Sequence, residues 1–202
     1  MRTLKFKSIK IKNFMSFGAN PVELNFQTGL NLITGYNMDQ PDLKNGIGKS
    51  SICDALMFAL FDETIKKLNK SDIVNDINKK NCEVKLEFDI ENNGATTEYV
   101  VERGISPSFC KFSIDKEDKT QGIPQTNALI KQSLGISQGL FQQSIIMSVG
   151  NSSSFFALKS QDKRAFIEGV FDLDIFSKML GDLNQVILSL QRFRQKARSS
   201  RG

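Results

Sequence analysis

Asn45-Gly46-Ile47-Gly48-Lys49-Ser50-Ser51 packs two glycines, a lysine and two adjacent hydroxyls into one short run. That composition suits a loop that cradles phosphates. Glycines let the backbone curl so that successive N–H groups face phosphate oxygens, a lysine reaches the β- and γ-phosphates, and the following hydroxyl ligates Mg²⁺. Here those roles fall to the amides of Gly46, Gly48 and Lys49, to the Lys49 ammonium and to the Ser50 hydroxyl. The strict spacing G-x-x-x-x-G-K-S fails, because position 43 is leucine. Gly35, which opens Gly35-Tyr36-Asn37, lies fourteen residues before Lys49, where such a loop has six. The simplest account is an insertion of about eight residues, near 38–45, that splits a G-x-N-G-x-G-K-S loop spanning 35–51.

Positioning such a loop takes a strand before it and a helix after it. Leu30-Asn31-Leu32-Ile33-Thr34 reads as a short buried strand running into Gly35. Beyond Lys49, the apolar residues Ile52, Ala55, Leu56, Ala59 and Leu60 recur at the spacing of one helical face. A helix that starts near Lys49 aims the positive end of its dipole at the phosphates. The alternative is a glycine-rich turn carrying a chance Gly-Lys-Ser, and the flanking order argues against it.

The rest of the chain reads as a β-rich start, a meander and then helices. Residues 4–12 alternate apolar and basic, with Leu4 and Phe6 in one phase and Ile9 and Ile11 in the other. Strand-like runs cover 83–90, 96–102 and 109–114, the first two joined by Glu91-Asn92-Asn93-Gly94, a good hairpin turn. Pro124 suits a helix start and Gly135 its stop. Phe176, Leu180, Leu183, Ile187 and Leu190 step by four and three, the seam of a coiled coil. A terminal helix packed on its own lobe is the other reading of that stretch.

Composition fits a soluble globular chain and excludes some chemistry. Apolar residues make up 40% and charged residues 24% of the sequence, with no apolar run long enough to span a membrane. Histidine is absent, which removes the commonest general base and the commonest zinc ligand. Cys53, Cys82 and Cys110 have no C-x-x-C spacing and are expected as reduced thiols. The net charge of +5 leans toward polyanionic partners. It concentrates in Lys66, Lys67, Lys70, Lys79 and Lys80, and in Arg192, Arg194, Lys196, Arg198 and Arg201. Each cluster is either a phosphate-contacting patch or a solvated surface.

Three segments together carry a family resemblance: 8–17 (SIKIKNFMSF), 22–35 (VELN through GLNLITG) and 48–61 (GKSSICDALMFALF). This pattern resembles the start of the SMC-like, SbcC-type ATPases that partner a nuclease in double-strand-break processing. The middle section looks most like the large subunit of the T-even-type bacteriophage recombination endonuclease. The resemblance implies an α/β fold, the amino-terminal lobe of an ABC/SMC-type P-loop ATPase head. The nucleotide-binding lobe is expected over 1–172, and the start of a coiled-coil helix with a basic end over 173–202. ATP and Mg²⁺ are the implied cofactors. Gly35, Asn37, Asn45, Gly46, Gly48, Lys49, Ser50 and Ser51 would hold the nucleotide, Ser50 the metal and Ser51 the α-phosphate. Asn13 and Phe14 would flank the base or ribose on a main-chain platform.

Implied partners are a second ATPase head or a complementary carboxy-terminal lobe, a nuclease subunit, and double-stranded DNA, with 159–182 either binding the nuclease subunit's helical tail or beginning the coil. No membrane is expected, and the location is cytoplasmic, in the host cytoplasm if the chain is phage-encoded. Hydrolysis in the family needs an acidic strand and a signature loop that lie after the coiled coil. Neither is found here, and Leu86-Glu87-Phe88-Asp89-Ile90-Glu91 alternates like a hairpin strand. The chain alone is expected to bind ATP poorly or moderately and to hydrolyse almost none. Three departures stand out: Val149 where the family has glutamine, Met15 where an arginine is frequent, and Asp39 and Asp42 in the insertion near the phosphates. The insertion is either a lid or a solvated excursion. A non-catalytic scaffold or inhibitor of the full ATPase and a small P-loop kinase are the other function classes.

Overall fold

The computed structural model describes residues 2–35, 47–146, 159–170, 179–187 and 189. They fall into two units, Met1–Gly135 and Ile136–Gly202. The first is built on a six-stranded antiparallel sheet in the order β2-β1-β3-β4-β5-β6. Its strands are β1 (Arg2–Lys12), β2 (Val22–Asn25), β3 (Cys82–Asn92), β4 (Ala95–Ile105), β5 (Phe109–Ile114) and β6 (Glu117–Asp118). The helices of this unit are α1 (Lys49–Phe61), the short α2 (Lys70–Ile73) and α3 (Ile123–Leu134).

Alternation dictates the meander. On β3, Cys82, Val84, Leu86, Phe88 and Ile90 are buried while the residues between them face outward. The β3–β4 hairpin turns at Asn93 and Gly94, with φ of 50° and 84°, the pair of positive values that a tight hairpin with right-handed twist requires. On β1 the register against β3 shifts between Phe6 and Ser8. One extra residue at this bulge moves the apolar set from the even positions Leu4 and Phe6 to the odd positions Ile9 and Ile11. The change of phase visible in the sequence is therefore the bulge itself. Tyr99 on β4 stacks between Phe88 and Phe112, at 5.2 and 5.9 Å between ring centroids.

The core lies where α1 and α3 pack against the sheet. The expected apolar stripe on α1 widens in the structure: Ser51, Ile52 and every residue from Asp54 to Phe61 are buried. A helix buried around most of its circumference is held by its surroundings rather than by one face. α3 buries Thr126, Ile130 and Leu134 at four-residue spacing and stops at Gly135, whose φ is 59°.

One sequence expectation fails. Residues 31–35 form no strand, and Leu30 and Leu32 are 101% and 85% exposed. A strand needs a neighbour for its N–H and C=O groups, and β2 ends the sheet with β1 as its one partner among the described residues.

The second unit contains α4 (Gln138–Ser144) and α5 (Ser160–Val170), and α4 packs against α5. Ser137 caps α4, its Oγ accepting from Leu140 N at 3.3 Å. Residues 179–187 are helical, and Leu180, Leu183 and Ile187 of the predicted seam are all exposed. Phe176, Leu190, the basic end at 192–201 and Val149 lie outside the described residues. Among those described, no helix is long and apolar enough to cross a membrane.

Candidate functional site

Gly48 sets the geometry at the start of α1. It has φ 83° and ψ 11°, a left-handed conformation that costs an L-residue roughly 1–2 kcal/mol and glycine nothing. A Cβ at this position would also collide with Ser16 Oγ. The chain turns through Gly48 directly into Lys49, the first residue of α1. No side chain caps this end and no acidic residue occupies the first turn. No carboxylate of the first turn compensates the positive end of the helix, a condition that favours holding an anion.

A cleft of about 480 Å³ opens there, lined by Met15, Ser16, Ile47, Gly48, Lys49, Ser50 and Ser51. Lys49 and Ser50 are exposed, whereas Ser51 is buried and its Oγ lies 3.3 Å from Ser16 Oγ. Gly35, on the far side of the insertion, lies against Ile47: a Cβ built on Gly35 would fall 3.0 Å from Ile47 Cδ1. The two flanks of the split loop are thus neighbours in space. Asn37, Asn45, Gly46 and the insertion with Asp39 and Asp42 lie outside the described residues.

Asn13 and Phe14, expected to flank the base or ribose on a main-chain platform, turn their side chains into the protein. Phe14 is fully buried, its ring centroid 5.6 Å from that of Phe58 on α1, and its backbone bridges to Val74. Asn13 is 4% exposed and its side chain is committed inside the protein. Asn13 Nδ2 donates to the carbonyls of Lys80 (2.8 Å) and Asn81 (3.2 Å), and Oδ1 accepts from Asn78 Nδ2 (2.8 Å). What reaches the cleft from this turn is Met15 and Ser16. Ser16 went unread in the sequence because a lone serine in a loop carries no periodic or spacing signal.

The opposite end of α1 is closed. Arg103 on β4, 2% exposed, donates from Nε and Nη2 to the Ala59 carbonyl at 3.2 Å each and lies over the Phe58 ring. Its Nη1 pairs with Asp62 at 3.5 Å. Burial pushes the Arg103 guanidinium below its ordinary value, with Asp62 opposing. Asp54, on the buried side of α1, accepts from Ile65 N at 2.9 Å. Burial raises its carboxyl, and that hydrogen bond works against the rise. Among the described residues no group of three or more His, Cys, Asp or Glu is placed to hold a metal ion.

Comparison with known proteins places the chain in a family and a fold. The profile of an AAA domain family, AAA_23, matches residues 8–201. Exonuclease subunit 2 of Escherichia phage RB69 is 26% identical over 89% of this chain, and its counterpart in Enterobacteria phage T4 is 24% identical over 93%. The DNA double-strand break repair Rad50 ATPase of Methanocaldococcus jannaschii is 26% identical over 92%. These matches cover 30%, 32% and 17% of the relatives, so the chain spans about a third or less of their length. In fold it is similar to the Smc head domain of Pyrococcus furiosus solved with an extended coiled coil and bound to the C-terminal domain of ScpA. That likeness has a TM-score of 0.61 at 22% identity, over 94% of this chain and 48% of that one. A second solved chain, from work on ATP-driven dimerization of SMC ATPases, gives a TM-score of 0.55 at 20% identity, over 82% of this chain and 99% of that one. The chain belongs to the AAA_23 family of AAA domains, and its fold is that of the amino-terminal lobe of an SMC/Rad50-type ATPase head.

Proposed function

We propose that this chain is the nucleotide-binding lobe of an ATPase head that works with a nuclease on DNA ends, and that it binds Mg²⁺–ATP at residues 35–51. The observation that carries the reading is the cleft itself: left-handed Gly48, exposed Lys49 and Ser50, and Ser51 stand together at the uncapped start of a buried helix. The residues fit the ligand. Gly48 leaves room where a Cβ would intrude, the first turn brings no opposing carboxylate, and the hydroxyl and ammonium stand at the mouth of the cleft. Lys49 and the first-turn amides hold phosphates, Ser50 holds Mg²⁺, and Ser51 faces the α-phosphate. Gly35, Asn37, Asn45 and Gly46 complete the loop. Bound Mg²⁺ neutralises phosphate charge and orders the triphosphate.

The exposed run Leu30, Leu32 and Ile33, at 101%, 85% and 39%, supports a second part of the reading. Alternating apolar residues that lead into a phosphate loop are left without a sheet, so a complementary carboxy-terminal lobe supplies the neighbouring strands. By extension from its phage exonuclease and repair ATPase relatives, and from the ATP-driven dimerization of SMC ATPases, we propose engagement of two heads by ATP, control of a nuclease subunit and contact with double-stranded DNA.

Equilibrium binding of a fluorescent ATP analogue with Mg²⁺ tests the site. Lys49→Ala removes a charge-assisted contact and is expected to weaken binding by about 10- to 100-fold. Equal affinity in parent and variant would sink the reading.

A further inference from the structure

Asn13 is extensively hydrogen-bonded close to the cleft, yet no part of the phosphate chemistry uses it. Its φ of 49° places it in the left-handed region, where asparagine is among the better-tolerated residues. Its backbone N donates to Gly18 O at 2.9 Å and its carbonyl accepts from Asn75 N at 2.9 Å. With the three side-chain bonds given above, both of its backbone groups and both ends of its amide are engaged inside the protein. Asn75 extends the clamp. Its Nδ2 donates to Met15 O at 2.8 Å, and Met15 N donates to Ile73 O at 2.7 Å. Asn78 Nδ2 also reaches Asn75 Oδ1 at 3.2 Å.

Three asparagines thus tie the turn after β1 to the segment 73–81. Met15 is itself left-handed, at φ 48°, and is held by both its N–H and its C=O. Two left-handed residues in a three-residue stretch are unfavourable on their own and persist when their surroundings dictate them. The outcome of that conformation is the placement of Ser16: its Oγ sits over Gly48 and 3.3 Å from Ser51 Oγ.

We propose that Asn13 is a positioning residue for the phosphate cleft, acting through Ser16. The clamp of Asn13, Asn75 and Asn78 holds the turn so that the Ser16 hydroxyl orients that of Ser51 toward the α-phosphate. Asn13 itself touches no ligand. This inference rests on the nucleotide reading above and adds to it a positioning device outside residues 35–51. It also gives position 48 a second reason to be glycine, since Ser16 stands where a Cβ would project.

A double-mutant cycle on affinity for the fluorescent ATP analogue with Mg²⁺ tests it, with thermal unfolding of each variant alongside. Ser16→Ala removes one hydroxyl and is expected to weaken binding about 3- to 10-fold, the range of a single hydrogen bond, with the unfolding midpoint unchanged. Asn13→Ala is expected to lose as much affinity and to unfold at lower temperature. In the Ser16→Ala background, Asn13→Ala should lower the midpoint again but leave affinity where Ser16→Ala put it. A merely structural asparagine would multiply the two losses, and that result would overturn the proposal. Because Asn13→Ala empties a buried hydrogen-bond hub and threatens folding, Asn78→Ala serves as the second variant. It removes the donor to Asn13 Oδ1 and is held to the same non-additivity. Failure of the underlying reading looks different: parent and Lys49→Ala would then bind alike, and both proposals would fall together.

Discussion

The two ends of α1 are built from the same backbone and treated in opposite ways. At the carboxyl end the carbonyls of Phe58 and Ala59 and the capping residue Asp62 are all engaged. Asp62 takes a left-handed turn with φ 63° and returns its N–H to Phe58 O, Arg103 covers the Ala59 carbonyl, and Lys70 pairs with Asp62 at 2.9 Å. At the amino end Gly48 also turns left-handed, but no side chain follows it in to cap the helix. Orphan backbone groups of a helix end are ordinarily satisfied locally. Leaving one end uncapped by side chains while securing the other fixes the helix in the lobe and keeps the amides of Lys49 and Ser50 clear of side-chain caps, as the proposed phosphate site requires. The helix is anchored where it does no chemistry.

The largest effect should therefore come from the closed end. Arg103→Met removes two hydrogen bonds to the Ala59 carbonyl and the partner of Asp62 while keeping much of the apolar stem. Hydrogen bonds from charged groups are each worth about 1.5–3 kcal/mol, and Asp62 retains Lys70 and some solvent, so a loss of roughly 2–3 kcal/mol is expected. Urea unfolding measures it. A variant as stable as the parent would break the comparison, because the carboxyl end would then not be the anchor.

At the open end, the same kind of change should show in binding before stability. Gly48→Ala places a Cβ at φ 83° and against Ser16 Oγ. The left-handed backbone costs about 1–2 kcal/mol, and escaping it tilts the first turn away from the cleft. Affinity for the ATP analogue should fall by about tenfold or more, beyond what the small drop in the unfolding midpoint reflects. Adding Ser16→Gly removes the collision but keeps the strain and also takes away the Ser16 hydroxyl, so affinity should not recover. Full recovery would mean that the conformation at 48 is not what the site requires.

How much of this could be read beforehand follows from where each partner sits in the chain. The β3–β4 hairpin and the phase change in β1 are local, and alternation plus Asn93-Gly94 specified them. The helix after Lys49 was equally legible, though its burial was underestimated, because Ser51 and Asp54 look like surface residues until their partners Ser16 and Ile65 are seen. Leu30 to Thr34 has the pattern of a strand, but pairing is a property of two segments and the second is absent from the described residues. The side-chain role of Asn13 was illegible for a related reason. Its amide bonds to partners more than sixty residues away, at Asn78, Lys80 and Asn81, and no spacing rule links one amide to a distant loop.

The cysteines offer a finer probe of the difference between the two ends. Cys53 lies on α1 near its open end and is half-buried, while Cys82 and Cys110 are buried. Cys110 feels the charges of Arg103 and Asp62, so it reports on the closed end. Burial raises all three thiols above the ordinary value, and Cys82 is pushed up to about 12. Only the thiolate attacks an alkylating reagent. At mildly alkaline pH, Cys53 should therefore react first in the native protein, and Cys110 and Cys82 only through opening of the lobe. The sign of the accompanying stability change is fixed. The unfolded chain loses the Cys82 proton near pH 9 and the folded chain near 12, so between those values the unfolded state binds fewer protons and stability falls as pH rises. Cys82→Ala, or better the more space-filling Cys82→Val, should flatten that decline, with unfolding midpoints between pH 8 and 10 as the measurement. If Arg103→Met speeds alkylation of Cys110 without changing that of Cys53, the closed end has loosened by itself. Equal acceleration of both thiols would mean that the ends of α1 open as one unit, and the contrast between them would then be one of chemistry rather than of stability.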